Sequence, residues 1–253
     1  MIKGFYAAKA TIMQSQKQTN VISNNISNVN TKGFKRDKST FGQILSNEIN
    51  ENYPDLKQSE YLVGGGAKIE SVKTDFTPGD LIESNNKLDL AIDGQGFFNL
   101  IDDNGNEFLT RGGSFSFREV NRNEKTIVND KGYFLADSRG RKIEIPKNVS
   151  DFNINEDGQF EYKYEGEVET VNIGVIDFLD KDSLERVNAN IFTQGMEDVD
   201  FKGKVKQGFI EGSNTDLANE LVSLITNQRM FTMNSKVIQT IDEMSTLANH
   251  LQK

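Results

Sequence analysis

Residues 2–29, IKGFYAAKATIMQSQKQTNVISNNISNV, carry an apolar or small side chain at Phe5, Ala8, Ile12, Ser15, Thr19, Ile22, Ile26 and Val29. The steps alternate between three and four residues, the spacing of a heptad seam along one face of an α-helix. Residues 217–251, LANELVSLITNQRMFTMNSKVIQTIDEMSTLANHL, carry a second seam at Leu217, Leu221, Leu224, Phe231, Ile238, Ile241, Met244, Ala248 and Leu251. The steps from Phe231 through Ile238 to Ile241 shift its phase, so no long uniform supercoil is predicted. Each helix has a narrow apolar stripe with nothing local to bury it. The prediction is that the two ends pair in space, and that narrow seams serve contacts between chains better than they close a large core.

Working inward, Asn24, Asn25, Asn28 and Asn30 crowd the end of the first helix, predicted over residues 3–27. Asparagine competes for backbone hydrogen bonds and so favours caps and turns. Gly33 is the expected left-handed turn. After it, FKRDKSTFGQILSNEI reads as a short amphipathic segment with Phe34, Phe41, Ile44 and Leu45 on its buried side. This segment opens an irregular connector over residues 34–70, where Pro54 and Gly64–Gly66 break any regular element. At the other end, residues 208–253 complete the helical domain begun by residues 1–33. Ser213, Asn214 and Thr215 are candidate caps, and Asp216 and Glu220 sit where the helix dipole favours acids.

Residues 71–207 read as β. Short alternating runs are predicted as strands over 68–74, 88–92, 96–101, 107–110, 126–128, 133–136, 142–145, 151–154, 159–163, 168–178 and 204–211, with one helical turn in 181–187. The turns Asn104-Gly105, Asp130-Lys131-Gly132, Ser138-Arg139-Gly140, Asp157-Gly158 and Glu165-Gly166 supply the positive φ of tight hairpins. The fold class expected is α+β: discontinuous terminal helices pairing as a coiled-coil-like bundle, with a central, mainly antiparallel, partly closed β domain.

Composition narrows the function. The 253 residues hold 36% hydrophobic and 26% charged side chains, the profile of a folded soluble protein. No apolar run approaches a membrane-spanning length, and Lys9 interrupts the first apolar stretch, so neither membrane insertion nor a secretory signal is expected. The net charge is −9, yet residues 1–36 hold Lys3, Lys9, Lys17, Lys32, Lys35 and Arg36 and no acid. These cations are spread out and lack interleaved aromatics, so no nucleic-acid partner is expected. Their complement is sought on the acidic faces of neighbouring chains.

No constellation for catalysis is visible. The chain has no cysteine, and its single histidine, His250, lies near the end of the second helix. That is a poor place for a fixed triad. DDNGNE at 102–107 has its glycine at the wrong place for a calcium loop, and a hairpin turn is predicted instead. Gly94 and Gly96 form a lone glycine pair rather than a dinucleotide fingerprint. No catalytic residue, metal site or cofactor is therefore expected. A pair of carboxylates acting on a glycosidic bond is the one enzymatic alternative kept open.

Three segments carry a resemblance. NVISNNISNVNTKGFKR at 20–36, LDLAIDGQGFFNL at 88–100 with TRGGSF at 110–115, and GFIEGSNTDLANELVSLITNQRMFTMNSKVIQTIDEM at 208–244 are, in that order, similar to the flagellar hook–basal body family of bacterial axial proteins. Asn24, Asn25, Asn28, Asn30, Gly33, Phe34, Gly94, Gly96, Phe97, Ser213 and Asn214 stand in its motifs. The length and the run SNNKLDLAIDGQGFF look most like a rod subunit of that family rather than a hook subunit. The resemblance implies self-association into a helical tube through the terminal helices. It also implies other rod and hook proteins as partners, and torque transmission as the function. Passage through the flagellar type III export apparatus without a cleaved signal, and a place in the basal body, follow from the same resemblance.

Overall fold

The computed structural model describes residues 2–43, 67–149, 151–193, 198–199 and 201–251. The two heptad stretches form long helices, α1 (Ile2–Ser27) and α2 (Leu217–Leu251). The chain divides into two units: Met1–Ser27 with Asp37–Thr74 and Asp216–Lys253, and Asn28–Arg36 with Asp75–Thr215. The architecture is α+β, with helices from both termini and a central antiparallel β domain.

In the first unit α1 and α2 run antiparallel, as two distant bonds require. Asn25, near the end of α1, donates to Glu220 at the start of α2, and Asn227 on α2 donates back to Ser15 and Thr19. Beside them lies an antiparallel pair, β1 (Asp37–Gln43) and β2 (Ala67–Thr74), with a register shift between Thr40 and Phe41. A strand therefore stands where an amphipathic segment and irregular connector were expected. DKSTFGQ holds β-branched, aromatic and small residues but too few strong helix formers to nucleate a helix. The Ile69 amide donates to Gln14 Oε1 at 3.0 Å, tying β2 to α1. Ile44, Leu45, Pro54 and Gly64–Gly66 lie outside the described residues.

α2 is not capped by Ser213, Asn214 or Thr215. Asp216 caps it: its Oδ1 accepts from the amides of Ala218 and Asn219 at 3.0 and 3.2 Å. A carboxylate there satisfies orphan donors and meets the positive helix end.

In the second unit the strands are β3 (Leu81–Glu83), β4 (Leu90–Asp93), β5 (Phe97–Ile101), β6 (Glu107–Thr110), β7 (Phe115–Glu119), β8 (Glu124–Asn129), β9 (Phe134–Leu135) and β10 (Glu144–Pro146). They continue as β11 (Phe152–Ile154), β12 (Gln159–Tyr164), β13 (Glu167–Asn172), β14 (Val175–Phe178), β15 (Arg186–Asn188), β16 (Ile191–Thr193), β17 (Asp198–Val199), β18 (Lys204–Gln207) and β19 (Phe209–Glu211). The main sheet has the order β10-β8-β9-β5-β6-β16-β15, with β7 on β8 and β14 on β5. Among the described residues this path ends at β10 and β15 rather than closing. β11-β12-β13 form a separate three-stranded sheet, while β18 pairs β4 and β19 pairs β3.

Every expected turn glycine has positive φ: Gly105, Gly132, Gly140, Gly158 and Gly166. The calcium-like stretch is the β5–β6 turn, where Asp102 accepts from the amides of Asn104 and Asn106. Two expected strands are each broken at a glycine. The run 168–178 becomes β13 and β14 around Gly174, and 204–211 becomes β18 and β19 around Gly208, whose φ is +76°. The expected helical turn shrinks to a 3₁₀ turn, Lys181–Ser183. β3, β7, β15, β16 and β17 lie outside the predicted strands, and β15 begins within the predicted helical turn.

The main core gathers Leu90, Ile92, Phe98, Leu100, Phe115, Ile127, Ile145 and Phe160. A smaller one stacks Phe97 against Phe76, Phe178 and Phe192 at centroid separations of 5.5, 6.2 and 5.9 Å. Tilted and edge-on ring pairs of this kind add to plain burial.

Candidate functional site

Two sites stand out: the helix pair of the first unit and a buried ionic knot in the second.

The face of α2 that bonds to α1 through Glu220 and Asn227 holds Glu220, Leu224, Asn227, Phe231, Asn234, Ile238 and Ile241, an unbroken alternation of four and three. Three of these are polar, which an apolar count overlooks. Glu220 and Asn227 are buried, Asn227 to 1% exposure. Asn227 Nδ2 donates to Ser15 O and Thr19 Oγ1, both at 2.7 Å. Asn25 on α1 is buried as well. Its Nδ2 donates to Asp37 O at 2.9 Å and Glu220 Oε1 at 3.1 Å, and its Oδ1 accepts from the Asp37 amide at 2.9 Å. Buried polar groups inside a seam fix register at some cost in stability. Here they set the sliding position of α1 against α2.

The sequence-predicted seam divides accordingly. Ala8, Ser15 and Ile22 are buried, and Ile12, Thr19, Ile26, Leu224, Ile238 and Ile241 are half-buried. Phe5, Leu217, Leu221, Phe231 and Met244 remain exposed. The side chains of Ala248 and Leu251 lie outside the described residues.

α2 also has a second stripe, turned away from α1. Val222, Met233 and Met244 follow one another at eleven-residue steps, a nearly straight row on an α-helix. With Leu247 they cluster about 150° around the helix from Asn227 and Ile238, at ~100° per residue. Their exposures are 62%, 64%, 55% and 64%. With Ile225, Met230 and Val237 also exposed, much of the solvent side of α2 is apolar, the kind of surface that marks an interaction site.

The knot lies where three distant stretches of chain converge. Lys35 and Glu211 are fully buried and Arg111 nearly so, with Lys35 Nζ 2.6 Å from Glu211 Oε1 and Arg111 Nε 2.8 Å from Oε2. The Gly79 amide also donates to Oε1, at 2.8 Å. Lys35 Nζ donates to Thr77 O at 2.7 Å, and Arg111 donates to the carbonyls of Gly96 and Gly94 at 2.7 and 2.9 Å. One carboxylate thus stands between two cations. Burial pulls the Lys35 ammonium below the usual lysine value, opposed by Glu211 and reinforced by Arg111. This arrangement gives Gly94 and Gly96 a purpose, since their backbone turns with φ of 125° and 127° to present carbonyls to one guanidinium.

The other motif residues surround the knot. Gly33 has φ +66°, and a Cβ there would lie 2.3 Å from the Gly112 nitrogen, so only glycine fits. Its amide donates to Glu211 O at 2.8 Å. Phe34 and Phe97 are buried, and the Arg186 guanidinium lies 4.8 Å above the Phe34 ring. Asn214 Oδ1 accepts from the Arg36 amide at 2.8 Å, and its Nδ2 donates to Asp75 O and Thr77 O. Ser213 Oγ accepts from the Thr215 amide at 3.2 Å. Asn28 accepts from Thr31, whereas Asn24 and Asn30 are exposed. The sequence reading placed Lys35 only in a basic arm and Glu220 only as a helix-dipole acid, and it passed over Arg111, Glu211 and Asn227. The available signal for the knot was a charge beside a motif glycine or aromatic: Lys35 after Gly33-Phe34, Arg111 before Gly112-Gly113 and Glu211 before Gly212.

Because Gly33, Phe34 and Lys35 belong to the second unit, the position of a truncation decides its outcome. Removing residues 1–27 is expected to keep the β unit's melting transition. Removing 1–36 takes away Lys35 and the Phe34 side chain and is expected to abolish it. Differential scanning calorimetry of the two fragments checks this.

Among the described residues no cluster of histidine, aspartate and glutamate is arranged to hold a metal, and no helix is long and apolar enough to cross a membrane.

Comparison with known proteins converges on one family. Residues 5–35 match the profile described as flagella basal body rod protein. Residues 91–162 match the flagellar hook protein FlgE/F/G D1 domain, and residues 206–251 the flagellar basal body rod FlgEFG protein C-terminal profile. Each matched segment supplies one residue of the knot: Lys35, Arg111 and Glu211. The flagellar basal-body rod protein FlgG of Agrobacterium fabrum is 34% identical over 264 residues, spanning 96% of this chain and 97% of that one. FlgG of Borreliella burgdorferi is 29% identical over 274 residues, spanning both chains completely. The flagellar hook-basal body complex protein FlhP of Bacillus subtilis is 25% identical over 270 residues, again across both full lengths.

Proposed function

The chain belongs to the flagellar FlgE/F/G rod and hook family as a structural subunit of the basal-body rod, and from that premise we propose how it works. α1 and α2 pair within each subunit through the polar-registered seam. Copies then pack through the second stripe of α2 into a hollow helical tube. The tube transmits torque from motor to hook and meets other rod and hook proteins at its ends. The subunit reaches it through the flagellar type III export apparatus without a cleaved signal. Its place is the distal rod, in keeping with full-length similarity to proteins named FlgG, rather than the proximal rod of FlgF or the hook. The chain acts by assembly and carries no catalytic step.

The observation that carries this reading is the exposed row Val222, Met233 and Met244, with Leu247 beside it. Water around four large apolar side chains is unfavourable, and their burial between copies gains about 25 cal/mol per Å² of apolar surface. Where α1 pairs with α2 it takes the opposite face, so Val222 and Met233 are left for another chain.

Deleting the gene is expected to leave cells that build the base of the flagellum but no hook, and restoring this chain to return hooks and swimming. Hooks of normal number in the deletion strain would rule out the distal-rod assignment. Release of soluble sugar from peptidoglycan by the purified chain would rule out the non-catalytic one.

A further inference from the structure

Two features of the β unit carry charge of opposite sign without an ionic partner. The first is a polar cleft of about 260 Å³ whose walls include Asn30, Lys32, Ser114, Lys131 and Asn190. Lys32 Nζ donates to Ser114 Oγ and Lys131 Nζ to Asn190 Oδ1, both at 2.9 Å. Both acceptors are neutral, and neither ammonium enters an ion pair among the described residues. Asp130, on the rim, is the one acid in the lining. Lys131 is exposed; partial desolvation lowers its ammonium's pKa and the neighbouring Asp130 charge raises it, so one acid stands against the cleft's two cations.

The second feature is the tip of the β12–β13 hairpin. Glu165 and Gly166 make a two-residue turn with φ of 49° and 94°, joining Tyr164 to its cross-strand partner Glu167. Glu165, Glu167 and Glu169 follow at alternate positions, and none enters an ion pair with Lys or Arg among the described residues. Tyr162 donates its hydroxyl to Glu169, and Val168 stands exposed between the acids.

Both features are fixed on one unit and are unpaired within it, so their complement is sought on a second copy. A cleft on one copy receiving a tip from the next is a heterologous contact, the type that gives a ring or, where the rotation does not close, a helical array. Charge complementarity of this kind sets register and partner choice. We propose that the cleft between Lys32 and Lys131 receives the acidic hairpin tip, Glu165 to Glu167, of a second copy of this chain. The inference rests on the rod-subunit reading and assigns the β units a contact separate from the helices.

The test is a charge swap in cells that lack the parent chain. Lys131→Glu and Glu165→Lys, made singly and together, are scored for swimming, secretion and the melting temperature of the purified variants. Each single change is expected to cut swimming speed or the motile fraction at least tenfold, with secretion and melting unchanged, and the pair to restore at least half. Normal swimming of the singles, or no recovery in the double variant, overturns the contact. Should a single variant melt early, rods of the parent chain built from mixed ¹⁴N and ¹⁵N copies decide the matter under a zero-length carbodiimide crosslinker. A mixed-label peptide joining Lys32 or Lys131 to Glu165 or Glu167 supports the proposal. Its absence, or coupling of these lysines to a carboxylate elsewhere, overturns it. Met233→Asp in the same cells separates the two readings: if it abolishes swimming while the charge changes do not, the rod reading stands and this contact falls. If none of the changes affects swimming, both fall.

Discussion

Glu211→Gln is expected to lower the melting temperature of the β unit by roughly 10 °C. Glu211 is the sole carboxylate between Lys35 and Arg111 in a site closed to water. Gln keeps the size and one acceptor but removes the charge, and its amide group would face a guanidinium. Leaving a buried charge uncompensated costs about 3–5 kcal/mol, and for a unit of this size each kcal/mol is worth ~2–4 °C. Lys35 can escape by losing its proton, the direction in which burial already pulls it, but that too costs free energy at neutral pH. The matched control is Lys35→Met. It removes one of two cations, leaves Arg111 paired with Glu211, and fills the space with apolar volume. Its cost is expected to stay near ~1–2 kcal/mol, set mainly by the bond lost at the Thr77 carbonyl, which keeps the Asn214 amide as its second donor. Calorimetry on the three proteins checks the asymmetry. Equal effects would mean that the knot acts by packing rather than by charge.

Met233→Asp is expected to abolish swimming while leaving the subunit folded and exported. The side chain is 64% exposed in the single chain, so an aspartate there is solvated and nearly neutral in effect. Buried in a contact between copies, the same carboxylate costs several kcal/mol unless it takes up a proton. Every subunit repeats the defect along the rod. Ile238→Asp is the informative contrast, because Ile238 is half-buried against the partner helix of its own chain. It is expected to loosen the helix pair as well, visible as lost ellipticity in the purified protein. Motility, secretion and circular dichroism together separate the two outcomes. Normal swimming of Met233→Asp would show that the exposed row is not a contact.

Much of the architecture was legible from periodicity. The three-four spacing marked both helices, and the Asn-Gly and Asp-Gly pairs marked hairpins whose glycines all have positive φ. Gly33 was legible for the same reason, since a turn after a run of asparagines leaves few other residues possible. The strands that escaped notice are short or weakly alternating. FSFRE of β7 pairs along one edge of β8, and IFT of β16 follows a turn only two residues after β15. Residues 37–43 illustrate a tertiary override. Their partner, β2, lies more than twenty residues downstream, and no local pattern announces it.

The sites were less legible because their chemistry is polar where apolar pattern was being read. The seam of α2 holds Glu220, Asn227 and Asn234 at heptad steps. An apolar count therefore places the stripe partly at Leu217 and Leu221, which are exposed. Lys35, Arg111 and Glu211 are separated by 76 and 100 residues in sequence. Nothing in their spacing announces an ionic triad, and only folding brings them within 3 Å.

The central claim is that copies of this chain assemble through their terminal helices into a torque-bearing tube. Electron cryomicroscopy of basal bodies purified from cells whose rods are built from this chain tests it most directly. The map is expected to show residues 2–27 and 217–251 lining the axial channel as antiparallel pairs, with Val222, Met233 and Met244 buried between neighbouring copies. A map in which that row faces solvent, or in which the terminal helices do not line the channel, would contradict the account.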